Sequence, residues 1–181
     1  VQSHRLDWQL ASDDTEVLKA AEMERQADAV IGFLSSSRQQ QRWIPLGIPM
    51  VNVSGASDPG PVVPSVVPDN EAVGREAGRY LLNRGFTSLA CVAPVWNWYS
   101  KERLAGFTHA VGTAGTVATN AIYGGRKLRD FLQALPRPSA IFAATDATAR
   151  LVLNELATLG CHVPEEYVVL GVDNDDLQSA V

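Results

Sequence analysis

Two short runs of apolar residues, neither alternating with polar ones, constrain the fold of this chain more than any other feature. Ile141-Phe142-Ala143-Ala144 stops at Thr145-Asp146, and Tyr167-Val168-Val169-Leu170-Gly171-Val172 stops at Asp173-Asn174-Asp175-Asp176. A strand that is apolar on both faces fits inside a parallel sheet covered by helices on both sides. Between the runs Leu151, Leu153, Leu156 and Leu159 recur at near-helical spacing, and Gly160 is suited to ending that helix. Pro138 to Asp176 therefore reads as buried strand, helix, buried strand. In such sheets ligands bind beyond the carboxyl ends of the strands, where Asp146 and Asp173 would sit. Short polar groups presented there, on adjacent strands, suit a ligand rich in hydroxyl groups.

The rest of the chain alternates in the same way. Residues 5–11 read as an edge-like strand, and Ser12-Asp13-Asp14 can cap a helix carrying Val17, Leu18, Ala21 and Met23. Strands are expected over 29–34 and 49–53, with a short surface helix or loop over 35–42 whose three glutamines face solvent. Residues 55–68 then hold four prolines and no helical periodicity, which forces extended chain and turns. This break reads as the crossover between two lobes, 1–67 and 68–181. The second lobe opens with Asp69-Asn70 as a cap and a helix through Val73, Ala77, Tyr80 and Leu81, closed by Asn83-Arg84-Gly85. A strand over 89–95, an aromatic loop Trp96-Asn97-Trp98-Tyr99, a helix through Leu104, Phe107, Ala110 and Val111, a strand over 117–123 and a helix over 127–135 complete it. Repeated strand-helix-strand units define an α/β fold with parallel sheets.

Composition narrows the function. The chain has 181 residues, a formal charge of −5 and 46% hydrophobic residues, as in an ordinary globular protein. With that charge and no basic run, this segment is a poor candidate for holding nucleic acid itself. No apolar run approaches the ~20 residues of a membrane helix. The opening VQSHRLDWQL has no signal-peptide core, as an internal fragment would also lack. Cys91 and Cys161 form no metal motif and read as buried thiols, which favours a reducing compartment.

Five segments, in order, resemble the effector-binding domain of bacterial transcription regulators of the LacI/GalR type. They are IPMVNVS, VVPDNEAVGREAGRYLLNRGFTSLACVA, SKERLAGF, PSAIFAATDATARLVL and VPEEYVVLGVDN. The ending GVDNDD, and Thr145-Asp146 where the broader family has Asn-Asp, look closer to the xylose-operon activator group. There an AraC-type helix-turn-helix domain follows this one. The resemblance implies two Rossmann-like lobes of the periplasmic-binding-protein type, truncated at both ends here, with a sugar between them. It implies a pentose such as xylose, a cytoplasmic setting, a homodimer, and DNA contacted only through a domain absent from this chain. No cofactor, metal or membrane enters.

The resemblance also implies site residues. Asp173 matches an aspartate that accepts hydrogen bonds from sugar hydroxyls, and an ionised carboxylate can take two. Arg103 matches an arginine whose planar fork can bridge vicinal hydroxyls. Asp146 matches the aspartate after the preceding strand, and it is equally a good N-cap for a helix from Ala147 onward. Thr145 would make a single contact where an amide makes two, and Ser54 is a hydroxyl donor or a turn residue. Sugars offer an apolar C–H face to aromatic rings, so one of Trp96, Trp98 and Tyr99 is expected against the ligand, the tryptophans ahead of Tyr99. Trp8 and Trp43 read as packing residues.

Two other classes stay open. A periplasmic sugar receptor of a transporter shares the fold. A metal-dependent sugar or nucleotide enzyme would hold Mg²⁺ at residues 173–176, yet Gly124-Gly125-Arg126 is a weak phosphate loop. His4, His109 and His162 are scattered with no nucleophile beside them, and His109 reads as a structural residue among apolar neighbours. No catalytic residue is expected.

Overall fold

A computed structural model describes residues 28–57, 63–94, 96–112, 116–120 and 125–175. The strand expected over 5–11, the helix following Ser12, His4, Trp8, Gly124 and Asp176 lie outside them. Two compact units are present, Val1–Ser54 with Pro59–Val66 and Gly55–Asp58 with Val67–Val181.

In the first unit β1 (Val30–Gly32) pairs in parallel with β2 (Met50–Asn52). Between them lie α1 (Ser37–Trp43) and a 3-10 turn over Ile44–Leu46. The Ser36 side chain accepts from the Gln39 N–H, and the Gln39 side chain returns to the Ser36 N–H, closing a capping box. The glutamines of this stretch are therefore not all solvent-facing, because Gln39 is part of the cap and Gln40 is buried. Both strands are shorter than expected. The buried Asn52 side chain ends β1: its Oδ1 accepts from the Leu34 N–H at 2.9 Å, taking it from the ladder, and also from the Ser54 N–H at 3.0 Å.

The second unit is built on four parallel strands in the order β4 (Thr116–Asn120), β3 (Ser88–Val92), β5 (Ser139–Ala143), β6 (Tyr167–Leu170). Among the described residues four helices accompany them, α2 (Asn70–Asn83), α3 (Trp98–Val111), α4 (Gly125–Ala134) and α5 (Asp146–Thr158). Successive residues of one strand serve opposite faces. Leu89, Cys91 and Phe142 join Leu81 of α2 and Phe107 of α3 in one core, with the Phe107 and Phe142 rings stacked at 5.0 Å. Ala90, Val92 and Ile141 join Leu128 of α4 and Val152 of α5 in the other. The two-sided cover explains the unbroken apolar runs. Burial also raises the Cys91 thiol pKa far above its usual value, while Cys161 is half-buried; both cysteines are free.

Boundaries differ from expectation where the backbone finds other partners. β3 stops at Val92, whose carbonyl takes the last ladder bond from the Ala144 N–H of the neighbouring strand, and Pro94 has no N–H to extend the ladder. Strand β4 ends at Asn120, and 121–123 fall outside the described residues. His109 is exposed in the last turn of α3 rather than packed among apolar neighbours. Helices α2 and α3 touch backbone to backbone: a Cβ on Gly74 would overlap the Arg103 carbonyl oxygen, and one on Gly106 the Glu71 carbonyl oxygen. Among the described residues no helix is long and apolar enough to cross a membrane.

Candidate functional site

The strand order reverses between β3 and β5, and the crevice beyond such a point is where open α/β sheets hold ligands. Arg103 occupies it. Its side chain comes from the second turn of α3 and is 8% exposed. Nη1 donates to the Ala144 carbonyl, one residue past β5, at 2.6 Å, and Nε donates to Asn70 Oδ1 at 2.9 Å. Asn70 is in turn fixed by donating from Nδ2 to the Pro68 carbonyl at 3.1 Å. The Tyr99 ring lies 5.2 Å from the guanidinium carbon, and Asn97 Nδ2 donates to the Tyr99 hydroxyl at 2.8 Å. Burial raises the Tyr99 phenol pKa, the Arg103 charge opposing it. None of these bonds uses Nη2 of Arg103.

Asp173 faces the same guanidinium. Its Oδ1 lies 3.4 Å from Arg103 Nη1, well beyond the 2.7–2.9 Å of a tight charged bond. The carboxylate is half-exposed. Lost hydration on its buried side raises its pKa above the usual aspartate value, with Arg103 pulling the other way and Asp146 adding to the rise. Its backbone has φ of 107° and the next residue, Asn174, has φ of 51°. A non-glycine residue at such a φ is strained, and strain of this kind persists only where neighbours enforce it.

The expected residues separate into groups. Arg103, Asp173, Asp146 and Tyr99 come together beyond β5 and β6. Thr145, not Asp146, is the N-cap of α5: its hydroxyl accepts from the Thr148 N–H at 3.1 Å and pairs with the Thr148 hydroxyl at 2.9 Å. The helix accordingly starts at Asp146 rather than Ala147. Trp98 and Tyr99 are not in a loop but in the first turn of α3, because their N–H groups find the carbonyls of Ala56 and Gly55 at 2.9 and 3.0 Å. The Trp98 ring carries the Lys101 ammonium 5.5 Å from its centroid. Its Nε1–H and the Ser100 hydroxyl are buried with no hydrogen-bond partner among the described residues. Trp96 is 60% exposed. Ser54 is buried in the first unit, its N–H and carbonyl both taken by the Asn52 side chain. Asn70 is the residue that the sequence did not disclose. Beside a capping Asp69, which accepts from the Ala72 N–H at 2.8 Å, it looked like a second cap residue.

Chemically, the site offers a rigid, buried cation beside an acceptor carboxylate, a combination suited to a neutral polyhydroxyl ligand. Among the described residues no group of three or more His, Cys, Asp or Glu could hold a metal ion.

A doubly wound unit with its polar cluster at the switch point defines a class of binding domain, and comparison with known proteins places the chain within it. The chain belongs to the periplasmic binding protein-like domain family, whose model matches residues 78–181. It is similar to the xylose operon regulatory protein of Escherichia coli K12, 28% identical over 166 residues, 83% of this chain and 42% of that protein. The ribose operon repressor of the same organism is 27% identical over 176 residues, 87% of this chain and 51% of the repressor. A solved structure of a xylose-binding transcription activator superposes with a TM-score of 0.70 at 25% identity, covering 90% of this chain and 51% of that one. The chain thus spans about half the length of the relatives it matches. These relatives are regulators of transcription, and the periplasmic-binding-protein-like α/β fold is the expected one.

Proposed function

We propose that this chain is the sugar-sensing, effector-binding part of a bacterial transcription regulator and that it binds a pentose such as xylose. The observation that carries the proposal is the buried Arg103 fork, fixed by Asn70 and the Ala144 carbonyl and set beside the Asp173 carboxylate. The names of the xylose and ribose regulators support the pentose. Arg103 donates to sugar hydroxyls, Asp173 accepts from them, and Trp96 or Trp98 covers the apolar face of the ring. Thr145 and Ser54 are further polar contacts of the proposal, which includes a cytoplasmic homodimer. The sugar favours one conformational state by its differential affinity for it and so changes DNA binding by a helix-turn-helix domain elsewhere in the protein. The proposal includes no catalysis.

Calorimetric titration with xylose, arabinose, ribose and glucose, with and without Mg²⁺, tests this. Saturable, metal-independent binding of one pentose is the expected result. A response to none of the four, or only in the presence of metal, overturns it.

A further inference from the structure

Asp146 is tied to the Asp173 turn by both its backbone and its side chain. Its N–H donates to the Val172 carbonyl at 2.8 Å, and its Oδ2 accepts from the Asp175 N–H at 2.8 Å. The two bonds bracket Asp173-Asn174, the pair with positive φ. Asp146 can reach across because residue 171 is glycine: a Cβ there would overlap Asp146 Oδ1 and stand 3.3 Å from its carboxyl carbon. The capping of α5 falls to Thr145, which leaves the Asp146 carboxylate for this purpose.

From these contacts we infer that Asp146 is a positioning residue, a latch that holds Asp173 in its strained backbone conformation and so aims the Asp173 carboxylate at Arg103. It acts on the ligand through Asp173 and makes no sugar contact of its own. Gly171 is the second half of the device, since any side chain there displaces the latch. The inference deepens the proposed sugar site and rests on it for the ligand, while the latch itself is a property of the ligand-free chain.

Three measurements on the whole chain, two of them without ligand, decide the matter. Amide hydrogen exchange of Asp175 and the HN–Hα coupling of Asp173, both read by NMR, report the latch directly. In Asp146→Ala, and equally in Gly171→Ala with Asp146 intact, Asp175 exchange accelerates tenfold or more and the Asp173 coupling moves toward that of an averaged chain. Asp146→Asn keeps an oxygen acceptor and stays within about threefold of the parent, because a neutral acceptor still holds the N–H. Affinity for the pentose follows the same order, lost tenfold or more in the first two variants and retained within about threefold in Asp146→Asn. Unchanged Asp175 exchange in Asp146→Ala overturns the latch. Equal loss of affinity in Asp146→Asn and Asp146→Ala overturns it too, since that is the mark of a carboxylate touching sugar. If the parent chain takes up no pentose, the proposed function falls, and exchange and coupling alone still decide whether the latch exists.

Discussion

At the scale of single residues the site sets hydration against charge. Asp173 sits beside a cation, yet burial outweighs the attraction and its pKa is raised in the folded state. The folded protein therefore binds this proton more tightly than the unfolded chain, so the residue's contribution to stability falls as pH rises through the aspartate range. Asp173→Asn removes that penalty, keeps an oxygen near Arg103 and tolerates a positive φ better. Thermal melts at neutral pH should show the variant at least as stable as the parent, with pentose affinity at least tenfold weaker. A less stable variant that still binds would contradict both halves. The same raised pKa predicts that the parent loses affinity under mildly acidic conditions before it unfolds, readable as a titration series against pH; flat affinity down to the ordinary aspartate pKa of ~3.9 would count against it. Arg103→Lys keeps the charge but not the fork that meets Asn70 and Ala144 together. Calorimetry should show a tenfold or greater loss.

At the scale of elements, the crossing of α2 and α3 brings Asn70 to Arg103. Gly74→Ala inserts a methyl group into the Arg103 carbonyl, so the helices must part. Overpacking of this kind costs about 1–3 kcal/mol, and the shift should lower pentose affinity as well. Gly85→Ala is the control: with φ at +88° and open space around it, it costs about 1–2 kcal/mol of backbone strain and leaves affinity alone. Denaturant melts paired with titrations separate the two; equal affinities would show that the crossing does not set the site. This crossing also marks where legibility in the sequence ended. Leu89-Ala90-Cys91-Val92 and Ile141 to Ala144 announced covered strands, and Asp69 announced a cap, because their signals are local. Asn70 and Gly74 owe their roles to residues some thirty positions away, which no local pattern encodes. Thr145 and Asp146 could each have capped α5, and the space above Gly171 settled which one did. Trp98 and Tyr99 entered α3 because the backbone of Gly55 and Ala56 supplied the cap that Asn97 did not.

At the scale of the whole molecule, a ligand that binds only the folded chain raises its stability by about 2.7 kcal/mol at a hundredfold excess over Kd. For a chain of this length each kcal/mol is worth about 2–4 °C in Tm. The preferred pentose should therefore raise Tm by roughly 5–10 °C, glucose should not, and Asp173→Asn should cut the rise to about half or less. An equal rise with glucose would exclude a pentose-selective site. The strained turn at Asp173 carries an evolutionary corollary. Glycine there would relax the backbone and erase the carboxylate in one codon change. Lineages screened for heat tolerance alone should thus accumulate sturdy but unresponsive descendants, and an aspartate retained at 173 would record that responsiveness was itself under selection.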